Sequence, residues 1–222
     1  MLDIKEEAKF DELKGMFRDL KLPPPPDIFI SFQVHKDGKL IFDNKQRGHS
    51  WTRNFYNYKC LVGTNAKNSN TGFGAGHMSD KNIAGVYSGE IAYLGGALTT
   101  GAIAATKGIV VGTSDVAFNI EQYALGALIA HGTGSGQLVY QASAFDSKAY
   151  ASKVWTATSK RIFNNNSGGD ITVKEVGLYA IYSWDGSTYL LERSVLDPTV
   201  LVPNTAQLTA TYEISMDFSS ID

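Results

Sequence analysis

The chain has 222 residues, 43% of them hydrophobic and 19% charged, with a formal net charge of −2. These are the proportions of a globular protein able to fill a core, which excludes wholesale disorder. The near-neutral charge, with no Lys/Arg stripe, excludes a general nucleic-acid footprint.

One cysteine, Cys60, excludes an intramolecular disulfide framework and a multi-cysteine zinc site. The longest apolar stretch, 91–111, is broken by glycines, threonines and Lys107, so no membrane span is expected. Met1-Leu2-Asp3-Ile4-Lys5-Glu6-Glu7 has no secretory apolar region, and the chain is expected to be made soluble in a reducing compartment.

Asp3 and Glu6 make a capping-box pattern, and Phe10, Leu13, Phe17 and Leu20 recur at helical spacing with Met16 beside them. They predict an amphipathic helix over 4–20. Pro23, Pro24, Pro25 and Pro26 cannot continue it and predict a stiff polyproline arm. Residues 1–26 therefore form one unit, and 27–222 a β-sandwich domain with a Gly/Asn-rich insertion at about 63–105. A helix of this length is marginal alone, so its apolar face needs a cover, either its own body or another subunit. Phe10, Leu13, Phe17, Leu20 and the four prolines are accordingly the candidate assembly interface.

Residues 28–35 and 40–42 read as a hairpin turning at Asp37-Gly38. Ser50 is placed to cap a second helix reaching about Val62, with Trp51, Phe55, Tyr58 and Val62 on one face and Cys60 as a small buried residue. The stretch 63–105 turns to Gly, Asn, Ser, Thr and Ala and reads as insertion loops, with short strands near 85–87 and 91–94. A strand over 107–112 follows, then a helical turn over 119–123 and an apolar strand over 125–130. The loop His131-Gly132-Thr133-Gly134-Ser135-Gly136 closes this part.

From Gly136 to Phe218 the chain reads as strands at 137–145, 153–163, 170–184, 187–196 and 208–218. The last is the clearest, because Leu208, Ala210, Tyr212, Ile214, Met216 and Phe218 alternate with polar residues. Asn164 to Gly169 and Asp185-Gly186 supply turn chemistry, and Asp197-Pro198 and Val202-Pro203-Asn204 are expected to turn the chain. The fold class is mainly β: an antiparallel, jelly-roll-like β-sandwich with an N-terminal helix on a polyproline arm and one further helix.

The chemistry-bearing residues give no complete motif. His35, His49, His77 and His131 lack local ligand spacing, so no metal or cofactor is expected. Gly132-Thr133-Gly134-Ser135-Gly136 precedes a strand and lacks the Lys-Ser/Thr pair of a phosphate cradle, which makes it a hairpin loop. Asp115, Glu121, Asp146, Glu175 and Glu192 could meet as glycosidase carboxylates, but Lys174 and Arg193 offer the last two ordinary cross-strand partners. Tyr179, Tyr182, Trp184 and Tyr189 could form a carbohydrate platform or pack a core or subunit interface, and burial habits favour packing. No catalytic residue is assigned.

Three stretches carry a resemblance: Arg161 to Tyr179, Leu190 to Pro198, and Val200 to Ile214. They resemble a widespread group of tailed-bacteriophage virion proteins. Gly112-Thr113 and Tyr123-Ala124-Leu125 look like the start of the same module, and Ser50 to Asn57 looks like its early helix. Coverage runs from about 28 to 215, while 63–105 and the tetraproline arm depart from the pattern.

The resemblance implies a structural component of the virion, assembled in the host cytoplasm. Its expected role is a head decoration or head-fibre-base protein anchored by its N-terminal arm, or alternatively a tail, collar or baseplate subunit. Its partners would be capsid or tail subunits and copies of itself, with no nucleic acid, membrane or enzymatic activity involved. The reading from another class is an adhesion module that binds carbohydrate, or a glycan hydrolase.

Overall fold

A computed structural model describes residues 11, 12, 15, 16, 19, 26–48, 50–56, 80–85, 87, 88, 94, 95, 101–182 and 187–219. Its strands are β1 Asp27–Lys36, β2 Lys39–Arg47, β3 Asp80–Lys81, β4 Tyr87–Ser88, β5 Leu94–Gly95, β6 Gly108–Gly112, β7 Val139–Ala151, β8 Val154–Asn164, β9 Ile171–Tyr182, β10 Thr188–Val202 and β11 Gln207–Asp217. The protein is mainly β and its named strands pair antiparallel.

Five strands form one sheet in the order β2-β1-β11-β8-β7, while β10-β9 with β5 and β6 form a second, and β3 pairs β4. The β1–β2 hairpin turns where expected, with Asp37 at φ 50° and Gly38 at φ 74°. Two successive positive φ angles match the strand twist, which Asp-Gly supplies at little steric cost. β2 continues beyond the predicted 40–42 to Arg47. Ser152 and Lys153, at φ 52° and 63°, turn β7 into β8 without a glycine.

The chain winds between the sheets. β8 belongs to the larger sheet, β9 and β10 pair in the smaller one, and β11 returns to pair with β8. Asn164 to Gly169 is thus a corner between sheets, not a tight reversal within one. Buried Asn165 stitches it: its amide donates to the Ala206 carbonyl at 2.9 Å, its carbonyl accepts from Thr205, and its Nδ2 donates to Gly169 and Val202 carbonyls.

Alternation fills the core as the pattern requires. Ile28, Ile30, Phe32 and Val34 from β1 and Leu208, Ala210, Tyr212 and Ile214 from β11 are buried together with Ile109, Val110, Val111, Val176 and Leu178 from the smaller sheet. Each large aliphatic side chain so buried contributes on the order of 1.5–3 kcal/mol. Tyr179 and Tyr189 are fully buried, as packing residues should be, whereas the side chains of Tyr182 and Trp184 lie outside the described residues.

Several expectations are corrected. Asp197-Pro198 does not turn the chain: it falls inside β10, in an irregularity between Val195 and Val200, and the strand runs on to Val202. Ser50 does not cap the second helix. The Ser50 carbonyl accepts the Arg193 amide and the Thr52 amide donates to Leu191, so 50–52 runs along β10 and the helical residues begin at Arg53.

The predicted 125–130 strand is not formed either, because the Gly126 and Ala127 amides go to a side-chain carboxylate, leaving a single bridge between Leu128 and Gly112. At 119–123 a turn closed by Gln122 onto Asn119 replaces the helical turn. Of the N-terminal unit, Asp11, Glu12, Gly15, Met16 and Asp19 are helical and Pro26 precedes β1, while Phe10, Leu13, Phe17, Leu20, Pro23, Pro24 and Pro25 lie outside the described residues.

Candidate functional site: buried carboxylates and arginines

The chemistry of the described residues is concentrated in buried charge. Glu175 on β9 and Arg193 on β10 are fully buried, and Arg193 Nε donates to Glu175 Oε2 at 2.7 Å. Strand alternation explains the pairing. Lys174 points to the face opposite Glu175 and reaches Asp115 at 2.8 Å, where its hydrogen bond holds that carboxyl below its ordinary range. Arg193 sits opposite Gly177, one side-chain row from Glu175 on the same face.

Glu175 then gathers a loop. Its Oε1 accepts from the Ala127 amide at 2.8 Å and the Ser114 amide at 3.3 Å, and its Oε2 accepts from the Gly126 amide at 3.0 Å. With Arg193 these donors fill the acceptor capacity of a carboxylate. Arg193 adds bonds to Gln122 Oε1 at 3.1 Å and the Val116 carbonyl at 2.9 Å, so one ion pair holds both limbs of the 113–127 loop. Gly112 is required beneath it, since a Cβ there would lie 2.6 Å from the Ala127 carbonyl oxygen and closer still to Glu175. Buried Tyr179 donates no charge but accepts the Leu125 amide at 2.7 Å, and burial raises its pKa.

Glu192, the neighbour of Arg193 on β10, occupies a different environment. Tyr212 Oη donates to it from β11 at 2.7 Å, Ser194 Oγ donates along the strand, and the Ser50 amide donates from the 50–52 segment. Burial pushes its pKa up to about 7 against these stabilising donors. Tyr212 is raised as well, by burial first and by the Glu192 charge second.

Arg161 on β8 is fully buried and is bound entirely by backbone oxygens. Its Nε donates to Gln141, Nη1 to Lys107 and Ile109, and Nη2 to Ala104 and Gly101, at 2.7 to 3.4 Å. The guanidinium lies 4.8 Å from the Tyr140 ring centroid, and desolvation lowers its pKa to about 10. It ties the 101–107 segment and β6 to β7 and β8 of the larger sheet.

The predicted carboxylates do not come together. Asp115 pairs with Lys174, Glu121 with Arg53 and Asp146 with Lys160 on the surface, while Glu175 and Glu192 are buried with separate partners. His131 Nδ1 accepts the Tyr140 amide at 3.1 Å, and His49 and His77 lie outside the described residues. Among the described residues no group of three or more His, Cys, Asp or Glu is placed to hold a metal ion. In the 131–136 loop the Gly134 amide is taken by Gln137 Oε1 at 3.0 Å, as a self-closed hairpin loop requires.

Sequence reasoning missed Arg161, although its inward position in the row Ala157, Ser159, Arg161, Phe163 was a signal. No family model matches this chain, and no curated protein or solved structure matches it.

Proposed function

We propose that the chain is a structural component of a tailed-bacteriophage virion, a head decoration or head-fibre-base protein that its N-terminal arm fastens to capsid subunits. The finer fold we propose is a jelly-roll-like sandwich, in which the β8–β9 ribbon pairs with β10–β11 and winds across both sheets.

The observation that carries this reading is how the body uses its charge. Five charged side chains are buried among the described residues: Asp27, Arg161, Glu175, Glu192 and Arg193. Asp27 pairs with Arg47, and the other four bind backbone groups, neutral side chains or one another, tying loops and sheets together. Such bonds stiffen a scaffold and occupy these groups with partners from the protein itself. The stretches that carry the virion resemblance, 161–179, 190–198 and 200–214, coincide with this β8–β11 winding.

Two measurements test the proposal. Light scattering on the purified chain should give a closed homo-oligomer, and antibodies against the exposed 145–151 stretch should label intact particles at many equivalent positions. Labelling of tails alone would move the assignment to a tail, collar or baseplate subunit. A monomer that stays off particles and binds or cleaves glycans would overturn it.

A further inference from the structure

The Glu192 carboxyl lies where three elements meet, and among the described residues no charged donor bonds it. Tyr212 reaches it from β11, Ser194 from its own strand and the Ser50 amide from the 50–52 segment. Glu192, Ser194 and Tyr212 are fully buried and Ser50 nearly so. Arg193, the charged neighbour on the same strand, acts on Glu192 only through space, because its guanidinium turns to Glu175. On β9 the residue opposite Glu192 is Leu178, and on β1 the residue opposite Tyr212 is Ile30. A carboxylate here would therefore be a dry anion held by hydroxyls and one amide.

The segment beside it is hung on β10 by hydrogen bonds and one aromatic contact. Arg193 donates its amide to the Ser50 carbonyl at 3.1 Å, and the Thr52 amide donates to Leu191 at 2.8 Å. Thr52 Oγ1 and Asn54 Nδ2 both donate to the Leu190 carbonyl. Trp51 bridges Glu192 and stacks on Phe55, which covers Ala180 and Leu191. Lifting this segment would admit water to Glu192 and bare the Ala180–Leu191 surface.

We propose that Glu192 is a proton-operated clasp: with its carboxyl protonated the 50–56 segment stays closed on β10, and loss of that proton releases the segment so that water reaches the anion. The direction follows from linkage. The closed form holds its proton up to about 7, whereas an open, hydrated carboxyl holds it only to the ordinary value of 4.5. Protonation therefore favours closure fully below about 4.5, and the advantage is lost as pH rises through about 7, beyond which the loss levels off. The clasp does not depend on the assembly role proposed above.

The test is hydrogen exchange at the Thr52 and Arg193 amides from pH 5 to 8, corrected for the intrinsic rate of each amide. Opening of the wild-type protein should rise roughly 70-fold over that range, and Glu192→Gln should remove the dependence. Amides of β1 and β11 should not follow; if they move in step with Thr52, the clasp is not local and the proposal is overturned. Equal pH dependence in wild type and Glu192→Gln overturns it too.

Two further measurements remain decisive if Glu192→Gln does not fold. In the wild type, the carbon-13 titration of the Glu192 carboxyl should have its midpoint near 7, and a midpoint near the ordinary value of 4.5 overturns the proposal. Tyr212→Phe removes a donor to the anion and should move the midpoint for Thr52 exchange upward.

Discussion

Replacing Arg193 by methionine isolates the largest electrostatic commitment in the fold. The change keeps most of the side-chain length but removes the Nε bond to Glu175, the bond to Gln122 and the bond to the Val116 carbonyl. Glu175 is left fully buried with three amide donors and no counter-charge. Breaking a buried pair from one side costs about 3–5 kcal/mol, because the stranded charge keeps its desolvation penalty.

For a domain of this size that corresponds to a fall in Tm of roughly 6–20 °C in a thermal melt followed by circular dichroism. The double variant Arg193→Met, Glu175→Gln should recover much of the loss, since no charge is then stranded. Amides in 113–127 should lose protection before those of β11. A single variant that melts within about 1 °C of wild type would refute the reasoning, as would a double variant no better than the single one.

Other substitutions test separate parts of the account. Gly112→Ala places a Cβ against the Ala127 carbonyl and Glu175, and should cost about 1–3 kcal/mol in urea unfolding. Arg161→Lys keeps the charge but cannot match five carbonyl-directed donors with three, so it should destabilise by about 2 kcal/mol or more, with exchange rising first at 101–109. Glu213→Gln, at an exposed ion pair 3.6 Å from Lys45, should change stability by less than about 0.5 kcal/mol.

Much of the fold was legible because its strands obey a two-residue period. β11 and β1 each bury one row of alternate residues, and Asp37-Gly38 specified its hairpin. Not legible were the places where backbone groups bond to partners distant in sequence. Ser50 looked like a helix cap, yet 50–52 gives its backbone groups to β10. The 125–130 stretch looked like a strand, yet Glu175 claims its amides from 48 and 49 residues away.

The buried site was only partly legible. Lys174 and Arg193 were noted as nearby cations, but alternation sends Lys174 to the other face, so the two charges with opposite sign that meet are Glu175 and Arg193. Arg161 carries no local partner in sequence, and its acceptors are the carbonyls of five residues between Gly101 and Gln141. Such a cage cannot be read from spacing.

Cryo-electron microscopy of purified particles from the source of this sequence tests the central claim most directly. Density that fits the β1–β11 body is expected in many symmetry-related copies on the head, contacting neighbouring subunits through the N-terminal arm. Particles without that density, together with a solitary soluble chain acting on a glycan, would contradict it.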